Sequence, residues 1–207
     1  TRILSSAASD VYKRQVFLLI IIILGIQGLI MHNSDYIPNY TKLSTERTFF
    51  PEDSNYIATN NPNFNNENLK GAHTLAFFGY TNCPDYCPDT LMKIRQVFRK
   101  IENNKKIKDI NMLFISVDTS DNITKIKKYV EYFDSRFVGI ATRDTELKEL
   151  TKRIGVYYKE ISTDNDIKFF DHTSAVFVIN KESKLIGLYT PPIKINYIYE
   201  DIINSFN

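Results

Sequence analysis

The chain has 207 residues, 43% of them hydrophobic and 24% charged, with a formal charge of +2. That balance fits one globular domain plus an appendage and excludes a wholly disordered chain, while seven Gly, seven Pro and no repeat exclude collagen-like and solenoid architectures. Two Cys exclude a multi-disulfide scaffold yet leave room for a single two-sulfur site, and so small a net charge gives no footprint for nucleic acid.

Residues 1–15 are set aside first. Ser5 to Gln15, SSAASDVYKRQ, resembles the direct translation of a widely used transposase sequencing adapter, so Thr1–Gln15 reads as an assembly artefact. Without Arg2, Asp10, Lys13 and Arg14 the remaining chain is neutral. Val16 to Met31, VFLLIIIILGIQGLIM, carries no charge and is apolar all round, which predicts a single N-terminal transmembrane helix. Its rise of about 24 Å falls a little short of a bilayer core of about 30 Å, as expected if the true start is lost at the adapter. The following MHNSDYIP offers no small-residue cleavage site, so the helix is expected to be a retained anchor and not a signal peptide. Residues 32–47, polar and Pro-containing, read as a tether, which leaves 48–207 as the folded domain.

Within that domain, Asn60 to Asn68 reads as a loop. HTLAFFGY (His73 to Tyr80), NMLFISVD (Asn111 to Asp118) and SAVFVIN (Ser174 to Asn180) are short apolar runs of buried-strand type, and KLIGLY after Lys181-Glu182-Ser183 is a hairpin partner for the third. Leu91, Ile94, Phe98 and Ile101 recur at helical spacing after Cys87, with Pro88 suited to the first turn. Further helices are predicted over Ile123 to Phe133, over Thr145 to Ile154 with a stop at Gly155, and over Ile195 to Phe206. Strands alternating with helices predict an α/β domain with a central sheet flanked by helices.

The chemistry concentrates in GYTNCPDYCPDTL. Cys83 and Cys87 stand four apart where a strand passes into a helix, a spacing that places both on one helical face at its N-terminus, where the helix dipole favours thiolate over thiol. Spacing alone leaves a metal site, a redox pair and a structural disulfide all open. His172, alone before an apolar strand, is by itself more simply a structural histidine. His73 and His32 read as structural or solvent-facing, and the lysines at 105–108 and 125–128 as solvated helix faces.

GYTNCPDYCPDTL, together with FISVD (Phe114 to Asp118), VYY (Val156 to Tyr158) and DHT (Asp171 to Thr173), resembles the Sco/SenC family of copper chaperones for cytochrome c oxidase assembly, over about Phe49 to Tyr189. The resemblance implies a thioredoxin-like fold, a single membrane anchor and a copper site of Cys83, Cys87 and His172. It also implies the copper-bearing subunit of cytochrome c oxidase as acceptor, with other copper chaperones or thiol–disulfide oxidoreductases as further partners. The soluble domain is then expected in the periplasm of a bacterial inner membrane, or at its mitochondrial equivalent. Two thiolates are soft donors that select Cu(I), and an imidazole completes the set, whereas a closed structural zinc site needs four ligands. Asp171 is expected to orient His172, and Asp118 reads equally as a turn residue. No turnover chemistry is required. The alternative is a thiol–disulfide reductase that keeps the acceptor's cysteines reduced through Cys83 and Cys87 alone, and a thiol peroxidase is disfavoured because no Arg neighbours the cysteines. Two features depart from the family pattern: Thr119 stands where proline is usual, and Pro191-Pro192 has no counterpart.

Overall fold

A computed structural model of the chain describes residues 12–24, 36–102, 104, 110–162 and 168–206. It divides into two units, 1–37 and 38–207. In the first, helix α1 occupies 12–24, beginning inside the adapter-like stretch, and the remainder of the expected anchor lies outside the described residues. Among the described residues no helix is long and apolar enough to cross a membrane. The side chains from Phe17 to Leu24 are all exposed.

The second unit is a mixed α/β domain. Its strands are β1 (Thr41–Thr48), β2 (Ile57–Ala58), β3 (His73–Gly79), β4 (Ile110–Ser116), β5 (Phe137–Ala141), β6 (Tyr158–Ser162), β7 (Lys168–His172), β8 (Val176–Ile179) and β9 (Lys184–Tyr189). Its helices are α2 (Tyr86–Ile101), α3 (Ile123–Phe133), α4 (Asp144–Ile154) and α5 (Ile195–Ser205). Seven strands form one sheet in the order β1-β9-β8-β3-β4-β5-β2, and β6 with β7 forms a separate two-stranded ribbon. β3, β4 and β5 run parallel, joined by α2 and α3, while β8, β9 and β1 continue the sheet antiparallel.

The apolar runs do what their composition demands. β3 is buried at every position from His73 to Gly79, as a central strand covered on both faces must be. α2 turns Leu91, Ile94, Phe98 and Ile101 inward, and α4 ends at Gly155, whose φ of 79° is the left-handed conformation that closes a helix. The tether reading of 32–47 needs correction. From Thr41 the chain is strand β1, paired with β9 along the sheet edge, and its mostly exposed side chains gave no apolar alternation to mark it. The entry to β1 is fixed by the buried carboxylate of Asp201 on α5, which accepts from the Asn39 backbone N–H at 2.8 Å, from Tyr40 N–H at 3.2 Å and from the Tyr189 hydroxyl at 2.8 Å. Asn60 to Asn68 is largely loop as expected, ending in a short 3-10 turn at Asn66–Leu69.

Candidate metal centre

The site forms where β3 runs out and α2 begins. After Gly79 the chain turns, closed by a hydrogen bond from Cys83 N–H to the Tyr80 carbonyl at 3.2 Å, and α2 starts at Tyr86. Cys87 therefore sits in the first turn of the helix, but Cys83 precedes it, so the two do not share a helical face as the spacing predicts. The turn brings them together instead. The Cys83 sulfur accepts the Cys87 backbone N–H at 3.4 Å, and Asp85, the residue in capping position, makes no side-chain cap. A sulfur thus takes the place of a capping oxygen, using one of the helix's orphan donors and its positive end.

Cys87 is fully buried and Cys83 half-buried. The Cys83 thiol is held down to about 4, mainly by a hydrogen bond from the Cys87 thiol, with burial opposing and His172 and the Cys87 and Asp85 backbone helping. Cys87 is pushed up by that same hydrogen bond to Cys83 and by burial. At neutral pH the pair therefore carries one charge, on the more accessible sulfur. Iodoacetamide should accordingly label Cys83 first, at a thiolate-limited rate that stays level from pH 8 down to pH 5 and falls by half near pH 4. Peptide mass spectrometry of briefly labelled, metal-free protein checks this, and faster labelling of Cys87 would refute it.

His172, the last residue of β7, reaches in from the ribbon and places Nε2 3.7 Å from the Cys87 sulfur. Its Nδ1 lies 3.1 Å from the Thr173 carbonyl, an acceptor that holds the ring with Nε2 facing the sulfurs. The ring edge-packs on Phe77 and Tyr80, with centroids 6.0 and 6.1 Å away. Asp171 does not orient it, contrary to expectation, because consecutive strand residues point to opposite faces and the Nδ1 partner is the Thr173 carbonyl. The Cys83, Cys87 and His172 donor atoms all lie within 4.8 Å of one another. Three atoms bound at about 2.0–2.3 Å to a common ion are separated by at most about 4.6 Å, so this cluster needs little movement to close on a metal. Two sulfurs and one nitrogen suit a soft ion such as Cu(I).

Other predicted residues lie elsewhere. Asp118 is buried and accepts from Ser120 N–H at 2.9 Å, which is its turn role. His73 stacks on Phe206 with centroids 4.4 Å apart and is depressed to about 4, chiefly by burial. His32 falls outside the described residues. Sequence reasoning missed Gly79, whose bare α-carbon leaves room for the Cys87 sulfur, and Asp121, which grips the turn through Thr81. Only the strand-end position of Gly79 hinted at either.

The SCO1/SenC family description matches residues 44–207. The chain belongs to the SCO1/SenC family. Among SCO1/SenC relatives, an SCO2-like protein of Rickettsia prowazekii is 31% identical over 147 residues, covering 70% of this chain and 71% of its own. The human mitochondrial SCO2 homolog is 32% identical over 124 residues, 59% of this chain, and the match spans 45% of that protein's length. Two solved structures with copper bound share the fold. Arabidopsis thaliana ScoI is 26% identical with a TM-score of 0.67, covering 72% of this chain and 92% of its own. Bradyrhizobium japonicum ScoI is 28% identical with a TM-score of 0.64, covering 70% and 92%. As expected from the sequence, the SCO1/SenC domain here is a thioredoxin-like α/β fold with a central sheet flanked by helices.

Proposed function

We propose that this SCO1/SenC protein binds one copper ion through Cys83, Cys87 and His172 and passes it to the copper-bearing subunit of cytochrome c oxidase. The observation that carries this reading is the convergence of the three donor atoms within 4.8 Å, in a chain whose relatives include structures with copper bound. Copper is cargo here. Its release proceeds by ligand exchange, with incoming acceptor thiolates replacing Cys83 and Cys87 one at a time. Val16 to Met31 serves as the membrane anchor, which the uninterrupted exposure of Phe17 to Leu24 supports, and the domain faces the periplasm. Residues 1–15 lie outside the natural protein in this reading.

The half-buried, low-pKa sulfur of Cys83 beside a second free cysteine also favours thiol–disulfide exchange. His172 separates the two readings. His172→Ala should change the sulfur-to-copper charge-transfer bands and the EPR signal of the Cu(II)-loaded protein, and should lower Cu(I) affinity. It should leave disulfide reduction of a model substrate within a few-fold. An unaltered Cu(II) spectrum removes His172 from the site, and a folded wild-type chain that takes up no copper leaves the reductase.

A further inference from the structure

Asp121 lies in the turn between β4 and α3, and its side chain is wholly excluded from solvent. A carboxylate buried this deeply is costly unless its lone pairs are met. Here they are met four times. Thr81 N–H donates at 2.9 Å and the Thr81 hydroxyl at 2.5 Å, while the Ser116 hydroxyl and the Lys125 ammonium each donate at 2.8 Å. Although burial pushes the other way, the Lys125, Thr81 and Ser116 donors hold the Asp121 carboxyl below its ordinary range. Lys125 is therefore more than the solvated helix residue its sequence context suggests.

Two of the four donors belong to Thr81, two residues before Cys83 in the turn that Cys83 N–H closes on the Tyr80 carbonyl. The Cys83 sulfur must stay close to the Cys87 N–H, 3.4 Å away, for the helix to support its thiolate. The turn is thus held at two points, by α2 through the Cys83 sulfur and by Asp121 through Thr81. We propose that Asp121 is a positioning residue for Cys83: by gripping Thr81 through both its N–H and its hydroxyl, it holds the sulfur in register with the start of α2. The inference rests on Cys83 being a metal ligand, but one arm of its test does not.

Charge and position act with opposite signs here, which makes the test decisive. Deleting an anion near Cys83 and leaving Lys125 behind favours the thiolate by Coulomb's law, whereas drawing the sulfur away from the Cys87 N–H disfavours it. The full-length Asp121→Asn and Thr81→Val proteins are compared with wild type without metal, by iodoacetamide labelling of Cys83 against pH, and then by Cu(I) competition. Both variants should move the labelling midpoint upward by about one pH unit or more, and should weaken Cu(I) binding about 10- to 100-fold, with Thr81→Ser restoring both. Thr81→Val changes no charge and removes only one contact from a half-buried loop, so it tests the grip even if Asp121→Asn fails to fold. A midpoint that stays put or moves down in the folded variants overturns the proposal, as does unchanged Cu(I) affinity in both. If wild type takes up no copper while the midpoints still rise, the grip on Cys83 stands and the copper reading falls.

Discussion

Replacing Cys83 with serine should lower Cu(I) affinity by roughly two to three orders of magnitude while leaving the domain folded. Structural zinc sites of four ligands gain about 10–16 kcal/mol, or roughly 2.5–4 kcal/mol per ligand, and a loss of that size is about 70- to 900-fold in affinity. Cys83 is half-buried at the edge of the site, so serine costs the fold little. Cys87→Ser should lose copper to the same extent but also destabilise the protein by about 1–3 kcal/mol, because a smaller, more polar hydroxyl replaces a fully buried sulfur packed beside Gly79. Competition with a colorimetric Cu(I) chelator measures the first effect, and thermal unfolding of metal-free protein the second. Full-affinity copper in Cys83→Ser would end the case for the site.

Gly79→Ala should damage the site without touching a ligand. A β-carbon at Gly79 would stand 2.8 Å from the Cys87 sulfur, 2.9 Å from Phe114 Cε2 and 3.1 Å from Phe77 Cε1, so something must shift. Both rings and the Cys87 sulfur are fully buried, so no neighbour yields freely and part of the displacement falls on a ligand. Overpacking of this kind costs about 1–3 kcal/mol, a fall in Tm of about 2–12 °C for a domain of this size, and copper affinity should drop more than tenfold. Gly187→Ala supplies the control. Its β-carbon would meet Tyr40, and the Thr41 carbonyl at 2.7 Å, on the β1 edge of the sheet, so stability should fall while copper affinity holds. Equal losses of affinity in both variants would show that Gly79 matters only to the fold.

The elements legible in the sequence are those whose burial leaves a periodic trace. His73 to Gly79 is apolar because both faces of β3 are covered, and the spacing of Leu91, Ile94, Phe98 and Ile101 betrays the inner face of α2. β1, with TKLSTERT mostly exposed, and the ribbon strands YKEIS and KFFDH carry no such trace, because an edge or a two-stranded ribbon is only partly covered. The two cysteines announced themselves by spacing and resemblance, but their mutual geometry did not. Cys83 lies ahead of α2, and its sulfur is placed by hydrogen bonds that no periodicity encodes. Asp121 was equally invisible, since its partner Thr81 is 40 residues away in the chain.

The imidazole and the two sulfurs belong to different pieces of the fold: His172 ends the two-stranded ribbon, whereas Cys83 and Cys87 follow a strand of the seven-stranded sheet. In the copper reading, a partner that grasps the ribbon could pull the nitrogen off its ion while the dithiolate stays put. Cargo transfer would then begin with a coordination vacancy opened mechanically, leaving a two-sulfur ion ready for the recipient's first ligand.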